Sequence, residues 1–499
     1  MNTYKTIIAL SGLLLGLAAC EEPVIDEGIL PLSVPATVDA EGGNWRTVVL
    51  GSAADIAVPA PAATSSAAYQ SELANAKNGV GSVTPEQNVA VSFWAVGGVL
   101  RWNQIARQLM AKYNTGPGYD NVLGQIATGD TTNSFANSPN AARLYALLSV
   151  AQYDALVVTW RAKYQYNRPA LAKQGVEPRV PVLDVPSYPS EDAAIAEASC
   201  RVLAFFFPDE TAWLNARAAE HKQSRISAGA SVPSDVKAGE DLAAAVAAAV
   251  IARAQADRPG VGTSSWQTLQ ANAPYDVKWK SLEIPARSPV LPLAGNLQTW
   301  FDPAAVFAAA PGPPPVTTSP AFQTALAEVR AIANTRTREQ WRIANYWADG
   351  IGTYTLPGHW NFIAEGLIQQ DRQNELRAAR TYALMNRAIQ DGATVNWRTK
   401  YQYFVPRPSQ IDPAIKTATG IPNYPSYPSE YATFSTAAAT VLAYVFPGEA
   451  TRLDTQAAEA VMSQLYGGIH YRFDNEAGAA TGTGVGRLAV DWAKADGAN

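Results

Sequence analysis

Apolar residues in this chain recur at three- and four-residue spacing, and the strict alternation of a half-buried strand is weak throughout. In the stretch Ala141 to Tyr166, Tyr145, Leu148, Gln152 and Leu156 keep the helical period, with alanine abundant between them. Asp235 to Arg253 reads as a long Ala-rich helix. The pattern therefore predicts an all-α fold.

The chain also repeats itself. Ala141 to Tyr166 lies over Ala378 to Tyr403 without a gap, at an offset of 237 residues, with more than half the positions identical. Pro186 to Glu191 (PSYPSE) recurs as Pro425 to Glu430, and Phe207-Pro208 as Phe446-Pro447. Upstream, Glu86-Gln87 and Trp94 recur as Glu339-Gln340 and Trp347. The blocks keep the same order, so the reading is an internal duplication giving two helical bundles packed together. Residues 84–283 form the first bundle and 320–499 the second. Between them, 284–319 is a crossover around Pro311-Gly312-Pro313-Pro314-Pro315, too rich in proline for a helix. Residues 21–83, rich in Ala, Pro, Ser and Gly, read as a tether and irregular arm.

Composition changes the picture in two places. With 47% hydrophobic and 16% charged residues and a net charge of −5, the chain is a folded protein with no basic excess for nucleic acid. Lys5, the apolar run Ile7 to Ala19 and the ending Leu17-Ala18-Ala19-Cys20 describe an export signal. The ending resembles a bacterial lipobox, which makes residues 1–20 a lipoprotein signal peptide and Cys20 the lipidated residue. The expectation is an exported, membrane-anchored protein, periplasmic or at the cell surface, touching the membrane by its lipid alone. Cys200, the other cysteine, reads as a buried packing residue.

Candidate chemistry gathers in the second bundle. Lys400 ends a helical pattern, and the two prolines of Pro406-Arg407-Pro408 force an extended exit that lets both cations converge. Pro428-Ser429-Glu430-Tyr431 opens an Ala-rich helix, whose free N–H groups suit an anion. Ser463-Gln464 precedes Gly467-Gly468-Ile469-His470, and Asp474 stands four residues further, where a helical turn lets a carboxylate hold the imidazole.

The succession K-x6-R-P, P-S-E-Y, S-Q-x5-H-x3-D resembles the signature of the vanadium haloperoxidases and type 2 phosphatidic acid phosphatases (PAP2). Tyr346-Trp347-Ala348-Asp349-Gly350, Gly358-His359-Trp360-Asn361 and the Tyr-Gly-Gly-Ile-His run look like the bacterial haloperoxidase-like branch. The resemblance spans roughly residues 84–490. It implies that Lys400 and Arg407 neutralise the oxygens of vanadate or phosphate, with Ser429 and the N–H of Glu430 donating further hydrogen bonds. It implies that His470 binds vanadium axially, or attacks phosphorus as a nucleophile, and that Asp474 orients it.

Three positions depart from the pattern. Glu430 stands where the family has glycine, Tyr431 where it has the acid–base histidine, and Gln464 where it has a second arginine, so the resemblance implies a catalytic position for Tyr431 and oxyanion-binding positions for Glu430 and Gln464. Losing an acid–base group costs about 10²–10⁴ in rate. Glu430 brings negative charge to an anion site unless it turns to solvent. In the first bundle Lys163 and Arg168 stand too close together for the signature. Asp192 replaces the histidine and Ser231 falls where His470 sits, while Ser224-Arg225 keeps the arginine, read as a local ion pair. Of the other histidines, His359 reads as a packing residue in its Gly-His-Trp-Asn turn and His221 as a surface helix residue. Trp397, Tyr401 and Tyr403 read as core and pocket wall. The first reading is a haloperoxidase-like enzyme that binds vanadate and oxidises halide with peroxide; the alternatives are phosphate ester hydrolysis through a phosphohistidine, and an inactive surface lipoprotein that binds a phosphorylated ligand or partner.

Overall fold

The computed structural model describes residues 30–114, 119–120, 125–126, 137–257, 265–284 and 286–498. The export signal and Cys20 lie outside them. The described residues are overwhelmingly helical; their one extended pairing joins Tyr119–Asp120 antiparallel to Gln125–Ile126.

In the first half run α1 (Ala67–Gly79), α2 (Pro85–Trp94), α3 (Gly98–Tyr113), α4 (Ser138–Tyr166), α5 (Glu191–Phe206), α6 (Thr211–Ser227), α7 (Pro233–Ala256) and the short α8 (Trp266–Asn272). After the one-turn α9 (Pro303–Ala308) come α10 (Pro320–Thr335), α11 (Arg338–Tyr346), α12 (Thr355–Gln370) and α13 (Glu375–Tyr403). They are followed by α14 (Pro408–Ile411), α15 (Glu430–Val445), α16 (Ala450–Gly467) and α17 (Arg472–Ala493). Helix α1 lies inside the stretch expected to be irregular; Ser66 caps it, and Tyr69, Leu73 and Ala76 bury one stripe at helical spacing.

The blocks that repeat in sequence occupy matching elements. α4 and α13 each have 29 residues, begin at an asparagine that caps the first turn, and end at a left-handed residue, Asn167 and Phe404. Both α2 and α11 start on a threonine–glutamine capping box. Trp94 and Trp347 donate their indole N–H groups to Glu220 and Glu459. α4 packs against α13 at the centre, and one hydrophobic cluster runs through both halves. α4 is long and apolar enough to cross a membrane, but its apolar window is entirely buried in protein.

The long central helices also anchor the connecting segments. Asp154 on α4 accepts from the N–H groups of Val48, Val49 and Leu50 in the arm. Asp391 on α13 does the same for Trp300 and Phe301 in the crossover. Each carboxylate thus satisfies backbone donors that have no ladder or helix partner.

Candidate functional site

Lys400 sits in the last turn of α13, where the left-handed Phe404 ends the helix and turns the chain. The segment then runs extended to Arg407, which precedes α14. Both cations are fully buried. Lys400 Nζ donates to the carbonyl oxygens of Pro425 (3.0 Å), Ser426 (2.9 Å) and Pro428 (2.5 Å). Arg407 donates through Nε to Tyr424 O (3.1 Å) and through Nη1 to Ile469 O (2.9 Å), and Nη1 lies 2.9 Å from His470 Nε2.

His470 and Asp474 are delivered by close packing of α17 on α15. A Cβ on Gly478 would stand 2.3 Å from Ser429 O, and one on Gly482 would stand 2.0 Å from Thr433 O, so only glycine lets the two helices approach this closely. His470 precedes α17 and Asp474 lies in its first turn. Asp474 Oδ2 is 2.9 Å from His470 Nδ1 and accepts from Ser426 Oγ (2.5 Å) and from the backbone N–H of Tyr471 (3.1 Å). The imidazole is therefore held by a carboxylate, though across a turn rather than along a helix.

Glu430 opens α15, and its side chain turns into the site, not toward solvent; it is wholly buried. Its Oε2 is 3.0 Å from Lys400 Nζ and 3.5 Å from His470 Nε2, and its Oε1 accepts from Tyr424 Oη at 2.6 Å. Burial by itself would raise this carboxyl, but Lys400, His470 and Arg407 outweigh it and hold it well below the usual carboxylate range. Burial pushes the Lys400 ammonium down to about 8, against the pull of Glu430. The site thus holds its own anion at the point where its cations and histidine converge. The fixed cations Lys400 and Arg407 face two carboxylates, Glu430 and Asp474, so they leave no positive excess of their own for an added oxyanion. Arg407 Nη2 is the one buried cationic nitrogen here without a partner, and a single donor does not replace the water shell of a vanadate or phosphate. These residues do not fit vanadate while Glu430 stays in place.

The other expected residues are placed as follows. Ser429 Oγ caps α15, accepting from Ala432 N, and its own N–H donates to Asp474 O; the hydroxyl serves the helix instead of an anion. Tyr431 Oη donates to Ala348 O, and burial raises the phenol well above its ordinary range, which removes it from acid–base work near neutrality. Gln464 Nε2 donates to Ser463 Oγ and its Oε1 is unpaired. Trp397 and Tyr401 are core, with Tyr403 half-buried beside them. Ser426 and Tyr424, not singled out from sequence, prove to hold Asp474 and Glu430. The recurrence of Ser426 as Ser187 was the available signal.

In the first half, Arg168 pairs with Asp235 (2.8 Å) and Lys163 with Glu191 (2.7 Å). Arg225 does not reach the second half and has no ion pair among the described residues: Nη2 donates to Val91 O and Nε to Ser224 Oγ. His221 is not a surface residue. It is fully buried, stacks on Trp94 with centroids 4.1 Å apart, and binds Asp192 Oδ1 at 3.0 Å. A residue on α6 reads as exposed until the neighbouring α2 and α5 cover it. His359 packs against Trp347 and binds Asp349 at 3.0 Å. Cys200 is buried, and burial raises its thiol to about 11.

Residues 381–497 match the PAP2 superfamily family model. No curated protein matches the sequence. Among solved structures, the chain is similar to the first bacterial vanadium-dependent iodoperoxidase, at 21% identity and a TM-score of 0.58, covering 82% of this chain and 96% of that one. The holo and apo forms of a bacterial vanadium-dependent chloroperoxidase align at 12% and 13% identity with TM-scores of 0.53 and 0.51. Each covers 72% of this chain, and 93% and 94% of the respective relative. At these identities the likeness is one of fold.

Proposed function

We propose, for a chain that matches the PAP2 superfamily over residues 381–497 and has the haloperoxidase fold, that it is a lipid-anchored exported binding protein whose C-terminal oxyanion site has become a structural node. The two halves are read as copies of one duplicated unit, neither of which turns over peroxide with halide or a phosphate ester. The observation that carries this reading is the Glu430 carboxylate, 3.0 Å from Lys400 Nζ and wholly buried. A fixed internal anion removes the electrostatic stabilisation on which phosphoryl or peroxo chemistry relies. Tyr431, held to Ala348 O, removes the acid–base group as well. The intact His470–Asp474 pair favours a second reading, a surviving haloperoxidase or phosphatase, and that reading requires Glu430 to withdraw.

Calorimetry with orthovanadate separates the two. The wild type is expected to give no heat of binding, and the double variant Glu430→Gly, Tyr431→His to gain binding that is lost again on adding His470→Ala. Tight binding by the wild type, lost in His470→Ala, together with bromide oxidation or ester hydrolysis above background, would overturn the proposal. The anchor is tested separately: Cys20→Ser is expected to release the protein from the membrane fraction.

A further inference from the structure

The first half carries a cavity of about 120 Å³ where the second half carries its closed site. Lys163, Ser187, Glu191, Asp192, Arg225 and Ser231 line it. By the sequence repeat these stand at the positions of Lys400, Ser426, Glu430, Tyr431, Gln464 and His470. Two differences explain why one is open and the other is not. Ser231 is smaller than His470 and Asp192 smaller than Tyr431, so an imidazole and a phenol are missing from the wall. The Glu191 and Asp192 side chains accordingly keep 19% and 18% of their surface, whereas Glu430 keeps none.

The charges in this cavity are arranged differently too. Lys163 and Glu191 neutralise each other at 2.7 Å. Asp192 is bound by His221, but His221 Nδ1 accepts from Trp102 Nε1 at 3.2 Å, so Nε2 carries the ring hydrogen and the imidazole facing Asp192 is neutral. Burial also lowers His221 below its ordinary value. Arg225, 5% exposed, uses two nitrogens on Ser224 Oγ and Val91 O and makes no ion pair with a carboxylate among the described residues. Ser187 Oγ is buried without a hydrogen-bond partner. Glu375, also in the lining, accepts from the N–H groups of Gly98 and Val99 through its two oxygens, and burial raises it to about 7. Arg225 and Asp192 are thus one cation and one anion that line the same cavity without an ion pair between them, beside a hydroxyl that has no hydrogen-bond partner.

We propose that this cavity binds a small zwitterion of the amino-acid class, its carboxylate on Arg225 and Ser187 and its ammonium on Asp192. A volume on this order accommodates a ligand of about six non-hydrogen atoms. A lone oxyanion would leave Asp192 uncompensated and a lone amine would leave Arg225 so; a zwitterion satisfies both. Neither Lys400 nor Glu430 lines this cavity, whose second-half residues are Gln373, Asn374 and Glu375, so its test stands whichever way the vanadate experiment falls.

The test is thermal unfolding and calorimetry of the mature full chain with glycine and β-alanine, against acetate, methylammonium and inorganic phosphate. Glycine or β-alanine is expected to raise the midpoint by mass action, beyond acetate and methylammonium together. Arg225→Gln is expected to weaken binding by about tenfold or more, as loss of a charge-assisted hydrogen bond does. Ser231→Leu, which fills the cavity and removes no charge, guards against misfolding of the first variant and is expected to abolish binding. No response to either amino acid, a response to phosphate in their place, or binding unchanged in a folded Arg225→Gln or Ser231→Leu protein would overturn the proposal.

Discussion

Glu430 shows how one side chain changes the character of a site. Removing its charge while Lys400 stays buried leaves an uncompensated ammonium, and breaking such a pair typically costs about 3–5 kcal/mol. Glu430→Gln is therefore expected to lower stability by an amount of that order at pH 7, measured by denaturant unfolding. The pH dependence has a definite sign. The Glu430 carboxyl is held below its unfolded value, so its contribution is present above the ordinary carboxylate pKa of about 4.3 and lost as pH falls through the lower folded value. The difference between wild type and Glu430→Gln should shrink on acidification. A difference that persists unchanged at the acid end would mean that the carboxylate charge is not what holds the node.

At the scale of elements, the approach of α17 to α15 rests on glycines that leave no room for a methyl group. Gly478→Ala is expected to destabilise by about 1–3 kcal/mol through overpacking against Ser429 O and Ala432 Cβ. Gly366 on α12 has nothing within 4 Å of an added Cβ, and Gly366→Ala is expected to stabilise by about 0.5–1 kcal/mol through helix propensity alone. Parallel melts of the two variants check the contrast; equal effects would refute the packing argument. The carboxylates that anchor the arm and crossover behave oppositely to Glu430. Burial raises Asp154 to about 6 and Asp391 to about 7, so the folded state holds more protons than the unfolded one above about pH 4. Their contribution to stability therefore falls as pH rises from about 4 through those values, and Asp391→Asn should flatten the stability profile across that window.

Over the whole molecule, the two halves share one interior. α4 packs on α13, Asn386 donates to Ser149 Oγ at 2.9 Å, and Arg107 pairs with Glu365 at 2.6 Å with both side chains buried. A core this continuous predicts one calorimetric unfolding transition, and it predicts that residues 320–499 expressed alone do not fold, because α13 would expose the face that α4 covers. Two separated transitions, or a soluble helical fragment, would contradict this. The sequence by itself determined the helical class, the repeat and the local pairs Lys400 with Arg407 and His470 with Asp474, because helical period and local spacing are properties of short stretches, while the resemblance to the family signature implied that the two pairs belong to one site. It also marked Glu430, Tyr431 and Gln464 as departures. Tertiary structure alone decided that Glu430 turns inward, that His221 is buried, that Ser426 and Tyr424 hold the site, and that the first half keeps a cavity where the second is closed. Direction and burial depend on neighbours that are distant along the chain, and a residue's own neighbourhood in sequence carries no record of them.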